Sequence, residues 1–192
     1  MSNMLHWSFD RHTLAAAAGQ TMIRRTSDLR DVFLDESSRA ALARAEDPVV
    51  YRVTSVERPD AAGGDLAWGL GVIEAGRVGH EYYMTKGHAH ALREAAEIYI
   101  GLSGKGLMLL EDLRDGSCAA LPLCADEMVY VPGFNAHRTV NVGAEPLAYL
   151  GIYPADAGHD YATVAASGFA QVVLASAAGP RVMRRAQLRG GI

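Results

Sequence analysis

A chain of 192 residues with a formal net charge of −4 is long enough for one well-buried core and short for two, and its balance gives no general attraction for nucleic acid. The two cysteines, Cys118 and Cys124, fit neither a CxxC redox motif nor a zinc knuckle, so they read as unpaired thiols of a reducing compartment. No stretch reaches the roughly 18 uninterrupted apolar residues of a membrane span, and the alanine run at 15–18 lacks a basic leader. The expectation is a cytoplasmic protein with neither membrane nor nucleic-acid partner.

Residues 1–35 carry no sustained period and read as an extended arm with a turn. Ser37 or Ser38 can cap a short helix running through Arg39, Leu42 and Ala45, which Asp47-Pro48 stops. The texture then changes: Val49–Val56 is rich in strand formers, and 58–64 is a Pro/Gly/Asp loop. Leu66, Trp68, Leu70 and Val72 alternate with Ala67, Gly69 and Gly71, a strand with one crowded face and one nearly bare face that leaves room. Short strands follow at 82–85, 97–103, 107–111, 119–123, 128–131, 137–142 and 147–153, separated by Gly-, Asp- and Pro-rich turns. Strands this short and this regularly spaced predict an all-β sandwich or barrel, with no βαβ rhythm and no phosphate loop. Residues 154–161 read as a polar loop over the barrel mouth, 162–166 as a helical turn, 171–175 as a late strand and the Arg-rich 181–189 as a solvated end.

The chemistry gathers around Thr85-Lys86-Gly87-His88-Ala89-His90 and Glu97-Ile98-Tyr99. His88 and His90 lie two apart on extended chain, so both imidazoles face one side, and Glu97 shares a face with Tyr99 by the same rule. Two imidazoles and a carboxylate make three ligands of a first-row metal, and His137 on a distant strand is the candidate fourth. Such a set suits Fe(II), Ni(II), Zn(II) or Mn(II) without choosing among them. Tyr153 shares a strand face with Leu147, Tyr149 and Gly151.

Gly87-His88-x-His90, Glu97 and Gly104 resemble the first motif of the cupin superfamily, and Pro132, His137 and Asn141 resemble the second. Asp126 stands where cupins usually place glycine, which predicts a different turn there. With Ile152-Tyr153-Pro154-Ala155-Asp156-Ala157-Gly158-His159-Asp160-Tyr161, Arg24-Arg25-x-Ser27-Asp28 and Glu46-Asp47-Pro48-Val49-Val50-Tyr51, the match narrows to the cupin-type glucose-6-phosphate isomerases, over roughly residues 20 to 185.

The resemblance implies a cupin jelly-roll at 49–192 with an N-terminal arm and short helix at 1–48 packed on the barrel or on a partner, and a homodimer acting on a sugar phosphate. It implies one divalent metal, Fe(II) favoured, on His88, His90, Glu97 and His137, acting as a Lewis acid toward a developing enediolate. Glu97 is the family's usual general base, although coordination lowers a carboxylate's basicity, which keeps a metal-assisted hydride shift as the alternative. Tyr153 is a candidate proton relay and His159 a candidate for opening the sugar ring. Thr85 and the Gly87 N–H are candidates for the phosphate, joined by Tyr51, with Tyr99 and Tyr161 as hydroxyl donors to the open chain. One departure stands out: where the family carries two phosphate-binding threonines, this chain has Leu70 and Gly71, so a contact is missing or comes from elsewhere. Another sugar-phosphate isomerase (mannose 6-phosphate), a cupin dioxygenase and a non-catalytic sugar-phosphate binder are the other readings of the same metal set.

Overall fold

Alternating apolar side chains need two layers to bury one face each, and the chain supplies them as antiparallel sheets. The structure is a computed structural model that describes residues 6–56 and 63–188. The strands are β1 (Phe9–Asp10), β2 (Ala15–Ala16), β3 (Gln20–Arg25), β4 (Val49–Val56), β5 (Leu66–Ile73), β6 (Arg77–Val78), β7 (Glu81–Tyr82) and β8 (Glu97–Ser103). They continue as β9 (Lys105–Asp112), β10 (Cys118–Cys124), β11 (Met128–Val131), β12 (Asn135–Asn141), β13 (Leu147–Pro154), β14 (Gln171–Ser176) and β15 (Gly179–Arg184). Two α-helices, α1 (Glu36–Ala45) and α2 (Ala162–Ser167), and 3-10 turns at Thr26–Asp28 and Arg185–Leu188 complete the regular structure of the described residues.

A six-stranded sheet in the order β11-β8-β13-β5-β4-β3 faces a three-stranded sheet β10-β9-β12, and a four-stranded sheet β15-β14-β7-β6 flanks them. The all-β jelly-roll barrel is present, with Leu29, Val50, Ile73, Met108, Leu109, Leu123 and Leu147 buried in one continuous apolar core. Asn141 stitches the walls together: its amide donates to the carbonyls of Ile73 and Glu145, both at 2.9 Å, and its oxygen accepts from Gly143 N–H at 2.9 Å. That explains an amide with no solvent exposure in an apolar interior.

Several expectations are corrected. The cap of α1 is Asp35, whose carboxylate accepts from Ser38 N–H at 2.8 Å, while the Ser37 and Ser38 hydroxyls themselves donate to Asp35. The carboxylate accepts all these donors at once, which neither serine can do. The arm is not merely extended, since β3 is hydrogen-bonded along β4 and forms an edge of the six-stranded sheet. Its β1–β2 hairpin brings Phe9, Leu14 and Ala16 onto Leu70, Val72 and Ala148 on that sheet's outer face. The 82–85 strand is shorter, ending as β7 at Tyr82, after which Met84 bridges Val140 and Thr85 N–H donates to the Thr139 carbonyl at 2.9 Å. Asp126 takes the left-handed φ of 67° that favours glycine, a conformation Asp tolerates. The 58–64 loop lies outside the described residues except for Gly63 and Gly64, as does Arg189 at the chain's end.

Candidate metal centre

The segment after Thr85 leaves regular strand yet stays extended against β12, with His88 and His137 facing each other in an antiparallel bridge. His88 N–H donates to the His137 carbonyl at 3.1 Å and His137 N–H to the His88 carbonyl at 2.9 Å. That exchange of backbone bonds sets the two imidazoles side by side, with ring centroids 4.3 Å apart. His90 follows on the same face, its centroid 5.6 Å from His88 and 5.5 Å from His137. Glu97 enters from the first position of β8, so three pieces of chain converge.

One ligand atom from each of His88, His90, Glu97 and His137 lies within 4.8 Å of the other three. Nε2 of all three histidines and Oε2 of Glu97 are buried without a well-formed hydrogen bond, although Oε2 sits 3.0 Å from Nε2 of His137 and 3.3 Å from Nε2 of His90. Four buried polar atoms aimed at one point and unsatisfied by protein groups are costly unless a cation joins them. The donor set fits a divalent first-row metal. The ring orientation is pre-set on the far side: Nδ1 of His90 lies 3.0 Å from the Ala95 carbonyl, which can only accept, so Nδ1 carries the proton and Nε2 is left as the ligand atom.

The electrostatics of the protein without metal follow from the same packing. Burial, reinforced by His137, holds the His88 imidazole well below its ordinary value. Burial works against protonation of His90 too, but the nearby Glu97 carboxylate and the hydrogen bond to the Ala95 carbonyl leave it raised. Burial opposes ionisation of Glu97, yet the ring nitrogens of His137 and His90, 3.0 and 3.3 Å from its oxygen, hold its carboxyl below the usual carboxylate range. Burial, and then the neighbouring Glu97 charge, push the Tyr99 phenol well up, so it stays protonated and donates to that carboxylate.

Three of the four ligands, His88, Glu97 and His137, form the floor of a cavity of about 250 Å³. Its walls come from alternate positions of adjoining strands: Tyr51, Val53 and Ser55 on β4, Gly69 on β5, and Tyr149, Gly151 and Tyr153 on β13. Thr85, Gly87, Tyr99, His159 and Tyr161 line it as well, so every site residue expected from the sequence lies in the cluster or borders the cavity; His90 belongs through the ligand cluster rather than through the wall. Leu70 does not face it. Strand alternation turns Leu70 to the outer face beneath Phe9 and Leu14, and the inward pair on β5 is Gly69 and Gly71. Ser55, Thr139 and Tyr149 were not singled out from the sequence, although stepping by two from Tyr51, His137 and Tyr153 reaches all three.

Two devices hold the rim. Gly87 has φ 75°, and a Cβ there would meet the Phe169 ring at 2.5 Å, so only glycine lets the backbone pass this close. The buried Arg138 guanidinium lies 4.5 Å from the centroid of that ring and donates to the Lys86 carbonyl at 2.7 Å, fixing the turn from below. Burial pushes this guanidinium down to about 10, leaving it a cation at neutral pH. On the other side, the 154–161 loop is laced to the 89–92 segment by four backbone bonds and by the Asp160 carboxylate, which binds the Arg93 guanidinium and both donors of Thr163. His159 stacks on Tyr161 at 6.0 Å and 11° and stands 5.4 Å from the Tyr153 ring.

Known proteins resemble this chain over most of its length. A family described as Glucose-6-phosphate isomerase (GPI) matches residues 23–187. The chain is 49% identical over 153 residues to the glucose-6-phosphate isomerase of Pyrococcus horikoshii, covering 80% of each chain. It is 45% identical over 165 residues to that of Thermococcus kodakarensis, covering 86% of each. Among solved structures, oxalate decarboxylase from Bacillus subtilis aligns with a TM-score of 0.46 and 25% identity over 57% of this chain and 26% of that one. By the span of the family match and the identity to these relatives, the chain belongs to the glucose-6-phosphate isomerase family.

Proposed function

We propose that the chain interconverts glucose 6-phosphate and fructose 6-phosphate at one divalent metal held by His88, His90, Glu97 and His137. The observation that carries the metal site is the convergence of four buried, unsatisfied ligand atoms on one floor of the cavity; the substrate follows from family membership. When bound, the metal supplies Lewis acidity toward the oxygens on C1 and C2 of the sugar. The remaining work belongs to side chains.

Glu97, held ionised and oriented by its neighbours, takes the proton from one carbon and returns it to the other. Its low basicity is what makes a hydride shift between the same carbons the competing route. Tyr153 passes a proton to or from an oxygen, and His159 serves ring opening. Thr85, the Gly87 N–H and Tyr51 hold the phosphate, and Tyr161 contacts the open chain. Tyr99, which donates to Glu97, orients the base as well as touching substrate. Fe(II) as the resident metal, a cytoplasmic homodimer and a barrel at 49–192 carrying an arm at 1–48 complete the reading.

The test is isomerisation of fructose 6-phosphate before and after EDTA, with Fe(II), Ni(II), Mn(II) or Zn(II) restored and metal content measured. Activity that is lost and then restored supports the proposal, and His137→Ala is expected to lose both metal and turnover. Oxygen uptake in place of isomerisation indicates a dioxygenase. Bound metal without turnover on this sugar or on mannose 6-phosphate indicates a binding protein.

A further inference from the structure

The buried phenol of Tyr149 has no role in the proton transfers, yet it lines the cavity with an exposure of only 6%. What makes room for it is Gly71, its direct partner across β13 and β5. A Cβ on Gly71 would lie 2.3 Å from Cζ and 2.5 Å from Oη of Tyr149, so the phenol head occupies the space in which residue 71 would carry a side chain. The hydroxyl therefore stands at the cavity wall in place of whatever β5 would have presented there.

The surroundings of that hydroxyl favour an anion. Glu97 is the single carboxylate among the described residues lining the cavity, and it belongs to the metal floor. Away from it, hydroxyls gather: the Thr139 hydroxyl lies beside the Tyr149 phenol, and Thr139 N–H donates to the Thr85 hydroxyl at 3.1 Å. The Tyr51 phenol lines the same cavity and accepts from the Lys86 backbone and the Arg24 side chain. A phenol oxygen that accepts from its neighbours, as that of Tyr51 does, keeps its own proton for a ligand. Burial, which pushes the Tyr149 phenol up, keeps that proton in place throughout the working range.

We propose that Tyr149 is a phosphate-binding residue whose hydroxyl, seated over Gly71, donates to the substrate's phosphate beside Thr85 and Tyr51. This rests on the sugar-phosphate reading of the site. A hydrogen bond to a charged group corresponds to about a ten- to hundredfold change in affinity. Tyr149→Phe in the metal-loaded enzyme is expected to raise KM for fructose 6-phosphate by that factor, with kcat within about threefold, because the contact is the same in ground and transition states. Calorimetry with inorganic phosphate as the probe should show the same loss in Kd. Gly71→Ala keeps the hydroxyl but drives it from its seat, so it should weaken phosphate binding too, and the double variant should be no weaker than Tyr149→Phe alone. Phosphate binding within about twofold of the parent protein in Tyr149→Phe overturns the proposal, as does a loss confined to kcat. A parent protein that binds phosphate but isomerises no sugar refutes the functional reading instead, and the calorimetric comparison still decides the role of Tyr149.

Discussion

Gly151 offers the sharpest test of how the metal floor is held. It sits on β13 opposite Gly69 of β5, and both glycines border the cavity. A Cβ at Gly151 would lie 2.8 Å from Oε1 of Glu97 and no closer than 3.7 Å to Tyr99, so Gly151→Ala presses on one atom. Ordinary contact begins at 3.4 Å, and the carboxylate must withdraw by about 0.6 Å. Ligand positions at a metal are held to about 0.2 Å, and disturbing the groups that hold a ligand costs roughly 10- to 100-fold in affinity, about 1.4–2.8 kcal/mol. Replacing a strand glycine by alanine is worth about 0.5–1 kcal/mol in the opposite, stabilising direction, so the fold should not weaken much. Gly69→Ala is the matched control, since its Cβ would meet nothing closer than 3.4 Å. Competition against a chelator, with thermal unfolding alongside, should show Gly151→Ala losing Zn(II) or Mn(II) affinity at nearly unchanged Tm and Gly69→Ala losing neither. Equal metal affinity in both variants would refute the claim that Glu97 is locked in place by the bare backbone of β13.

Three further outcomes are expected. Asp160→Ala removes the carboxylate that binds both Arg93 and Thr163 and loosens, without breaking its backbone bonds, the segment that carries His159 and Tyr161; kcat/KM should fall roughly ten- to a hundredfold with metal content unchanged, as steady-state kinetics and metal analysis will show. Glu97→Gln that keeps its metal should lose both turnover and exchange of the C2 hydrogen with solvent if a proton is transferred, whereas turnover retained without exchange establishes the hydride shift. For the metal-free protein, the Tm difference between parent and Glu97→Gln should peak between about pH 4.5 and 6.5. Glu97, lowered in the fold, contributes above 4.5 and loses that contribution as pH falls toward its folded value, while His90, raised in the fold, contributes below 6.5 and loses it as pH rises through its own. A difference that grows steadily toward alkaline pH would contradict this pairing.

The ligand set was legible because two residues of extended chain span one side-chain period, so His88 with His90 and Glu97 with Tyr99 could be assigned to faces without knowing the fold. The arm was not, for an identifiable reason. In β3 the polarity is mixed: Ile23 is 49% exposed on the outside, while the other face carries Met22, which borders the cavity, and Arg24, which pairs with Tyr51. A strand beside a polar cavity turns charge inward, and a reading that seeks apolar residues on the inner face passes over it. The cap of α1 was misread because Asp35, Ser37 and Ser38 all have capping side chains, and the choice depends on which one the backbone presents. The buried cation under Gly87 was likewise invisible, since Arg138 follows a ligand histidine on a strand and nothing local reveals that Phe169 and the Lys86 carbonyl await it.

The departure at Leu70 and Gly71 shows how contacts rather than residue types decide a site. Read along the strand, the pair looks like the loss of polar groups. Across the sheet, Leu70 belongs to a different layer altogether, where the β1–β2 hairpin covers it, so its polarity has no bearing on the cavity. Gly71 is the inward position, and its empty side is filled by Tyr149 from the neighbouring strand. Gly151 repeats the relation one pair further along, its bare backbone facing the Glu97 carboxylate. In both places a glycine on one strand is the condition for a polar head delivered by another, because a wall of full-sized side chains leaves no room for phenol and carboxylate heads inside a barrel this narrow. The cavity's polarity is thus a property of strand pairs, and substitutions at 71 or 151 should act on binding through the partner side chain rather than through anything the new residue touches directly.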